Sequence, residues 1–310
     1  MELILQIGLL ALGFIMLIKG ADWFVEGTAG VAEKFGIPQI VIGLTIVAMG
    51  TSAPEAAVSI TSALKGSAGI AIGNVIGSNI LNVLVILGVT GTIVSIAIRK
   101  STFVYEIPYM IIISVVLVVM GMTGGSINLI EGIMLWVLFI VYLLYLLKMA
   151  KNNKEENEEK TELAPTWKLI VFAIVGGILI VWGSNVTVNS ATYIAKLIGL
   201  SDRFIGLTIV ALGTSLPELV TSVTAALKNK ADIAIGNIVG SNIFNMLFVI
   251  GTTALITPVT FEPQFMIDGA VNIGVAILLW VSVAKTKQLK RAWGVTMLAG
   301  YLGYFLYLIK

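Results

Sequence analysis

The chain has 310 residues, 19 of them basic and 17 acidic, for a formal charge of +2, and it contains neither cysteine nor histidine. Apolar residues make up 58% of it and charged residues only 12%, a balance that excludes an ordinary soluble domain and marks an integral membrane protein. Without Cys or His there are no disulfides, no thiolate or imidazole metal sites and no histidine acid–base chemistry. Whatever this chain binds, it binds through oxygen.

At about 20 apolar residues per span, ten segments are predicted to cross the membrane: 2–19, 37–62, 69–93, 103–121, 127–149, 167–185, 200–227, 231–257, 264–284 and 291–309. The first lacks the basic n-region and small-x-small site of a signal peptide and has a counterpart at 167–185, so it is kept as a span. The second carries Gly50-Thr51-Ser52-Ala53-Pro54-Glu55, and the seventh carries Gly213-Thr214-Ser215-Leu216-Pro217-Glu218. An ionised carboxylate inside a span is expensive unless a cation, a partner or water compensates it, so an intramembrane acid is a functional-site hypothesis by default. Pro54 and Pro217 withhold hydrogen bonds from the carbonyls of Gly50 and Gly213 four residues earlier, which predicts broken helices 2 and 7. Non-helical backbone at that depth is tolerated only where it is buried in protein or lines a wet cavity. Thr51 and Ser52 lie four and three residues before Glu55 and share its face, as Thr214 and Ser215 do around Glu218.

The third and eighth spans add a second polar stripe. Asn74, Ser78 and Asn82 recur at spacing four, mirrored by Asn237, Ser241 and Asn245. Glycines within the same motifs, GNVIGSN and GNIVGSN, read as a close-packing seam of the small-xxx-small kind. Ser78, Asn82, Ser241 and Asn245 are read as pore-lining or ligating, and Asn79 and Asn242 as structural.

The polar stretch Ala150 to Thr166 separates two halves, giving a first five-helix repeat at 1–149, a linker at 150–166 and a second repeat at 167–310. A shift of 163 residues matches 29 of the 46 positions from Gly43 to Gly88, which chance does not produce. Five spans per half insert the second half upside down, so the expected fold is an all-α integral membrane protein of two inverted-topology repeats whose pseudo-two-fold axis brings Glu55 and Glu218 together near the midplane. Basic residues concentrate in cytoplasmic loops. Fifteen of the 19 fall on one side and only Lys65, Lys196, Arg203 and Lys310 on the other, placing the linker in the cytoplasm and both termini outside.

The paired GTSxPE and GNxxGSN motifs resemble the two alpha repeats of the calcium/cation antiporter superfamily, nearest to prokaryotic sodium/calcium exchangers, over essentially the whole chain. The resemblance implies alternating access in a cell-membrane protein, with ion sites formed by helices 2, 3, 7 and 8. Carried over by position, it implies calcium ligation by Glu55 and Glu218 with oxygens of Thr51 and Thr214. It implies sodium sites using those acids with Ala48, Ser52, Ser78, Ala211, Ser215 and Ser241, and Asn82 and Asn245 completing the centre. Potassium-dependent members carry aspartate where this chain has Asn245, so potassium co-transport is not expected.

Physical chemistry accommodates that ligand set, since calcium takes about six to eight oxygens and two bidentate glutamates with two backbone carbonyls supply six. The expected function is extrusion of calcium in exchange for sodium, electrogenic if three sodium ions replace one calcium. The alternative is exchange of calcium, or another divalent cation such as manganese or magnesium, for protons. Proton-coupled relatives usually show Gly-Asn where this chain has Thr-Ser, and the hydroxyls favour sodium. A channel and an intramembrane hydrolase are the other classes weighed; neither is favoured by inverted repeats without a nucleophile, so no enzyme activity is expected. No organic cofactor, nucleic acid or obligate protein partner is implied beyond calcium, sodium and the lipid bilayer. Asp22, Glu26, Glu33, Lys34, Glu106, Glu131, Asp202, Arg203 and Asp268 are read as interfacially solvated at span ends, and Trp23, Trp136, Trp167, Trp182 and Trp293 as an aromatic belt. Spans one and six, which lack a buried acid, are expected to be the movable pair.

Overall fold

In hydrocarbon no water satisfies backbone N–H and C=O groups, so a spanning segment must close its hydrogen bonds within itself. The computed structural model describes residues 2–64, 69–152, 164–197 and 211–309, and each predicted segment is helical over most of its described length. The helices are α1 (Glu2–Phe35), α2 (Gln39–Thr51), α3 (Ala53–Leu64), α4 (Gly69–Ile93), α5 (Thr102–Gly124) and α6 (Leu129–Asn152) in the first half. The second half holds α7 (Thr166–Leu197), α8 (Ala211–Thr214), α9 (Leu216–Leu227), α10 (Ala231–Ile256), α11 (Pro263–Ala284) and α12 (Arg291–Ile309). Among the described residues seven helices are long and apolar enough to cross a membrane, or eight if the bent α2–α3 pair is one span. Residues 200–210 of the expected seventh span, 153–163 of the linker, and Lys65, Asp202 and Arg203 lie outside the described residues.

The first helix is longer than its hydropathy suggests. Its 34 residues rise about 51 Å, well past the roughly 30 Å of a hydrocarbon core. No breaker intervenes before Gly36, whose φ of +62° ends the helix ahead of Pro38. The partner helix α7 likewise runs on to Leu197. These two pack along each other through glycines: a Cβ on Gly20 would meet Gly176 O and Ile180 N at 2.9 Å, and one on Gly183 would meet Gly13 O and Leu17 N at 2.9 Å. Small residues let the backbones approach where no hydrophobic force drives association.

At the centre lie α4 and α10. The apolar stretch of α10 is 94% buried within the protein while that of α1 is 17% buried, so α10 is an internal helix and α1 faces lipid. Gly236 and Gly240 let α2 cross α10 at backbone contact, because a Cβ on Gly240 would stand 2.8 Å from both Leu44 O and the Ala48 Cβ. Overpacking a tight contact costs about 1–3 kcal/mol, so Gly240→Leu is expected to lower the thermal midpoint of detergent-solubilised protein substantially, whereas Gly69→Ala, with nothing within 4 Å of its Cβ, leaves it unchanged.

Two short antiparallel ladders tie the halves together at their ends: β1 (Ile96–Ala97) with β4 (Gln288–Leu289), and β2 (Ser126–Ile127) with β3 (Val259–Thr260). Arg99 pairs with Asp232 at 2.5 Å, and Lys228 with Asp22 at 3.0 Å. Two expectations need correction. Glu106 is 1% exposed, not solvated at an interface, because α6 lays tyrosines over it. Trp136 packs against Phe139 and Phe248 and donates to Thr252 Oγ1 at 3.2 Å; Gly132 and Gly251 bring α6 and α10 close enough that its ring is an inter-helix wedge rather than part of a belt.

Candidate cation site

The proline motifs act locally as the sequence suggests. Ser52, between α2 and α3, has φ −82° and ψ 8°, and Ser215, between α8 and α9, has φ −92° and ψ 4°. Both occupy the sparse bridge region, and the α2–α3 pair bends by 46° there. Each proline then falls in the first turn of the following helix, where a missing N–H costs nothing. Glu55 and Glu218 lie in those same first turns, where the helix dipole favours negative charge.

Both carboxylates are 1% exposed, and each is held from the opposite half. The Ser52 hydroxyl donates to Glu218 Oε1 at 2.8 Å, and the Ser215 hydroxyl to Glu55 Oε1 at 3.3 Å. Thr214 lies against the Glu55 carboxylate, and the Thr51 hydroxyl sits 2.9 Å from Asn237 Oδ1. The Ser241 hydroxyl reaches the Ala48 carbonyl at 3.4 Å. Ser78 is buried on α4. Ala211 opens α8, two residues before Gly213.

Wide π-helical turns begin at Asn82 in α4 and at Asn245 in α10, and another, 43–47, leads α2 toward its break. Such turns often mark functional positions in helices. Asn82 Nδ2 donates to Asn242 Oδ1 at 2.9 Å, and Asn245 Nδ2 to Asn79 Oδ1 at 3.2 Å, while Asn79 and Asn242 each donate to the other's carbonyl at 3.3 Å. Asn79 and Asn242 therefore clamp α4 to α10, and through that clamp they orient Asn82 and Asn245.

Sequence reading did not single out Ser59 and Ser222. Asn74 Nδ2 donates to Ser59 Oγ and Asn237 Nδ2 to Ser222 Oγ, both at 2.9 Å, and the same amides reach the main-chain oxygens of Glu55 and Glu218 at 3.2 and 3.4 Å. Each serine follows its glutamate by four residues on the same helix face, a spacing that carried the signal.

What remains unpaired defines the chemistry. Glu55 Oε2, Glu218 Oε2, Asn82 Oδ1 and Asn245 Oδ1 are buried without a hydrogen-bond donor. All four are acceptors. A buried polar atom without a partner costs about 1–3 kcal/mol, and a cation is the kind of group that would satisfy acceptors such as these. Among the described residues no group of three or more acidic side chains assembles, so the site offers two carboxyl groups. A groove of about 550 Å³ between α1, α7 and the end of α2 reaches Gly50, the neighbour of Thr51.

Fold and site thus define a multi-pass helical membrane protein built around a buried, oxygen-lined pair of carboxyl groups. A family model described as sodium/calcium exchanger protein matches residues 5–148 and 168–310. The sodium/calcium exchanger MaX1 of Methanosarcina acetivorans is 33% identical, covering 97% of each chain, and the inner membrane protein YrbG of Escherichia coli is 33% identical, covering 97% of this chain and 95% of its own. The sodium-calcium exchanger NCX_Mj, in a structure soaked without sodium or calcium, superposes with a TM-score of 0.86 at 34% identity over 99% of both chains. The chain belongs to the sodium/calcium exchanger family: it is a membrane cation antiporter, not an enzyme.

Proposed function

We propose that the protein extrudes calcium in exchange for sodium by alternating access, with ten spans arranged as two inverted five-helix repeats, both termini outside the cell and the linker inside. The observation that carries this reading is the pair of buried glutamates, each bonded to a serine of the other half and each left with one donor-less oxygen. Calcium is ligated by Glu55 and Glu218 with oxygens of Thr51 and Thr214. Sodium ions use the same acids with Ser52, Ser215, Ser78, Ser241 and the carbonyls of Ala48 and Ala211, and Asn82 and Asn245 close the centre. Two carboxylates balance one calcium. Three sodium ions would leave one positive charge, and moving it would draw about 2.3 kcal/mol from each 100 mV of membrane potential.

Ser52 and Ser215 decide the coupling ion. A hydroxyl that bonds the opposite acid can turn its lone pairs to a small cation, and proton coupling has no use for it. Purified protein in liposomes is therefore expected to take up radiolabelled calcium under an outward sodium gradient with a protonophore present, and Ser52→Ala/Ser215→Ala is expected to weaken sodium dependence more than calcium affinity. Uptake that ignores sodium and follows only a pH gradient would make the protein a calcium/proton antiporter.

A further inference from the structure

A second buried acid lies outside the ion site. Glu106 closes a π-helical turn, Thr102–Glu106, at the start of α5. The Tyr145 hydroxyl of α6 bonds its Oε1. Its Oε2 and Tyr142 Oη have no hydrogen-bond partner, and the Thr102 side chain lies against the carboxyl from one turn before it. Glu106 and Tyr142 line a groove of about 350 Å³ between α5 and α6.

The second half contains a related pair with a different outcome. A shift of 162 residues carries Glu106 to Asp268 and Tyr142 to Tyr304, and the Tyr304 hydroxyl bonds Asp268 Oδ1 at 2.9 Å. An acid–tyrosine clamp between the fourth and fifth helices of a half is thus a structural device of the repeat. The first half adds two orphaned oxygens and an aromatic groove that a clamp does not need.

We propose that this groove binds the primary ammonium of an amine-headed phospholipid, seated on Glu106 and walled by Tyr105, Tyr109, Tyr142 and Tyr145. The ammonium's N–H donors meet the unpartnered Glu106 Oε2 and Tyr142 Oη, both on residues that line the groove. Rings surround the position: Tyr109 stacks on Tyr142 at 5.6 Å, and Tyr105 tilts against Tyr145 at 6.3 Å. Aromatic faces attract an ammonium of either kind, primary or quaternary, so the unpartnered oxygens are what single out the primary one. A bare calcium ion would need about six to eight oxygens, and this groove is mostly carbon.

Depth and exposure favour a lipid over a soluble amine. Glu106 lies about 6 Å along α5 from Thr102, and Lys148 and Lys151 stand in the last turns of α6 beside it, so the acid sits at headgroup level. Val104, Tyr105, Ile112 and Val141 at the rim are exposed on helices apolar enough to span a membrane. Acyl chains would lie along them. Lys287 is stacked 3.0 Å over Phe103 and bonded to Ala284 O.

Native mass spectrometry of the delipidated full chain, titrated with phosphatidylethanolamine or with phosphatidylcholine of identical acyl chains, tests this. Choline has no N–H for the orphaned oxygens, so wild-type protein is expected to bind phosphatidylethanolamine about tenfold tighter, the factor one charge-assisted hydrogen bond supplies. Glu106→Gln is expected to erase the preference and Tyr145→Phe, which keeps ring and carboxylate, to retain it. Equal affinity of wild type for the two lipids overturns the proposal without reference to any variant. So does a preference that survives in Glu106→Gln, or displacement of the lipid by free ethanolamine or by sodium alone at matched concentration.

Discussion

Glu55→Gln and Glu218→Gln are each expected to lower calcium binding by at least about 100-fold and to abolish sodium-driven calcium uptake in liposomes. The substitution keeps the shape and the acceptor that receives the serine: a glutamine Oε1 can still take the hydrogen bond from Ser215 or Ser52. What changes is the other atom. The unpartnered Oε2 becomes an NH2 group that presents hydrogens where a cation would sit, and one of two charges disappears. Removing one partner of a buried charge pair costs about 3–5 kcal/mol, which is the source of the factor given. The unliganded proteins should move in the opposite direction. Two carboxylates 1% exposed and uncompensated oppose folding, so either variant in chelator should melt above chelated wild type, whereas only wild type should gain stability on adding calcium. Saturation at about 100 times the dissociation constant would add about 2.7 kcal/mol. This crossing of two melting series separates loss of the site from failure to fold; a variant that calcium still stabilises like wild type would remove the substituted glutamate from the site.

Much of this arrangement was legible because the chain states it twice. A motif written once, GTSAPE, is a polar interruption in a span; written again 163 residues later as GTSLPE, it implies a symmetry axis, and the crossed Ser52–Glu218 and Ser215–Glu55 bonds follow that repeat. Proline chemistry was also local enough to read, since it decides where Ser52 and Ser215 break the helices. Features that depend on distant helices were not legible. Glu106 sits four residues inside a span and looked interfacial, but the tyrosine that bonds it comes from 39 residues away. Trp136 looked like a belt residue until Gly132 and Gly251 allowed α10 to approach. Helical periodicity placed Asn79 and Asn242 off the polar stripe, and only their mutual bonds across α4 and α10 show that they aim Asn82 and Asn245. Hydropathy also stopped α1 at the membrane surface, because charge at Asp22 and Glu26 ends an apolar window without ending a helix.

Bridging α1 to the end of α9 is expected to stop exchange, while bridging α1 to α7 is not. The apolar residues around α1 form a cluster separate from the main core, and its character differs: Ala21, Ala29, Ala32, Ala225, Ala226 and Ala234 make up much of it, whereas the main core is filled by Ile, Leu, Phe and Met. Alanine faces interdigitate little. Sliding one across another exposes few methylenes at about 0.8 kcal/mol each, so this seam offers a low barrier where a jigsaw of branched side chains would not. Between α1 and α7, by contrast, the glycine contacts lock backbone to backbone, and Trp23 stacks on Phe172 at 5.7 Å. The pair should therefore move as one body past α2, α9 and α10, opening and closing the groove that reaches Gly50. The native chain has no cysteine, so introduced thiols are the sole targets of a short bifunctional reagent. Asp22 and Lys228 face each other across the moving seam at 3.0 Å; Asp22→Cys/Lys228→Cys, once bridged, should reduce calcium uptake to that of empty vesicles, and a cleavable linker should restore it. Trp23→Cys/Phe172→Cys, bridged in the same way, should transport at the rate of its unbridged form. Arrest by the second bridge would mean that α1 and α7 move against each other, and free transport through the first would mean that neither slides against α9 at all.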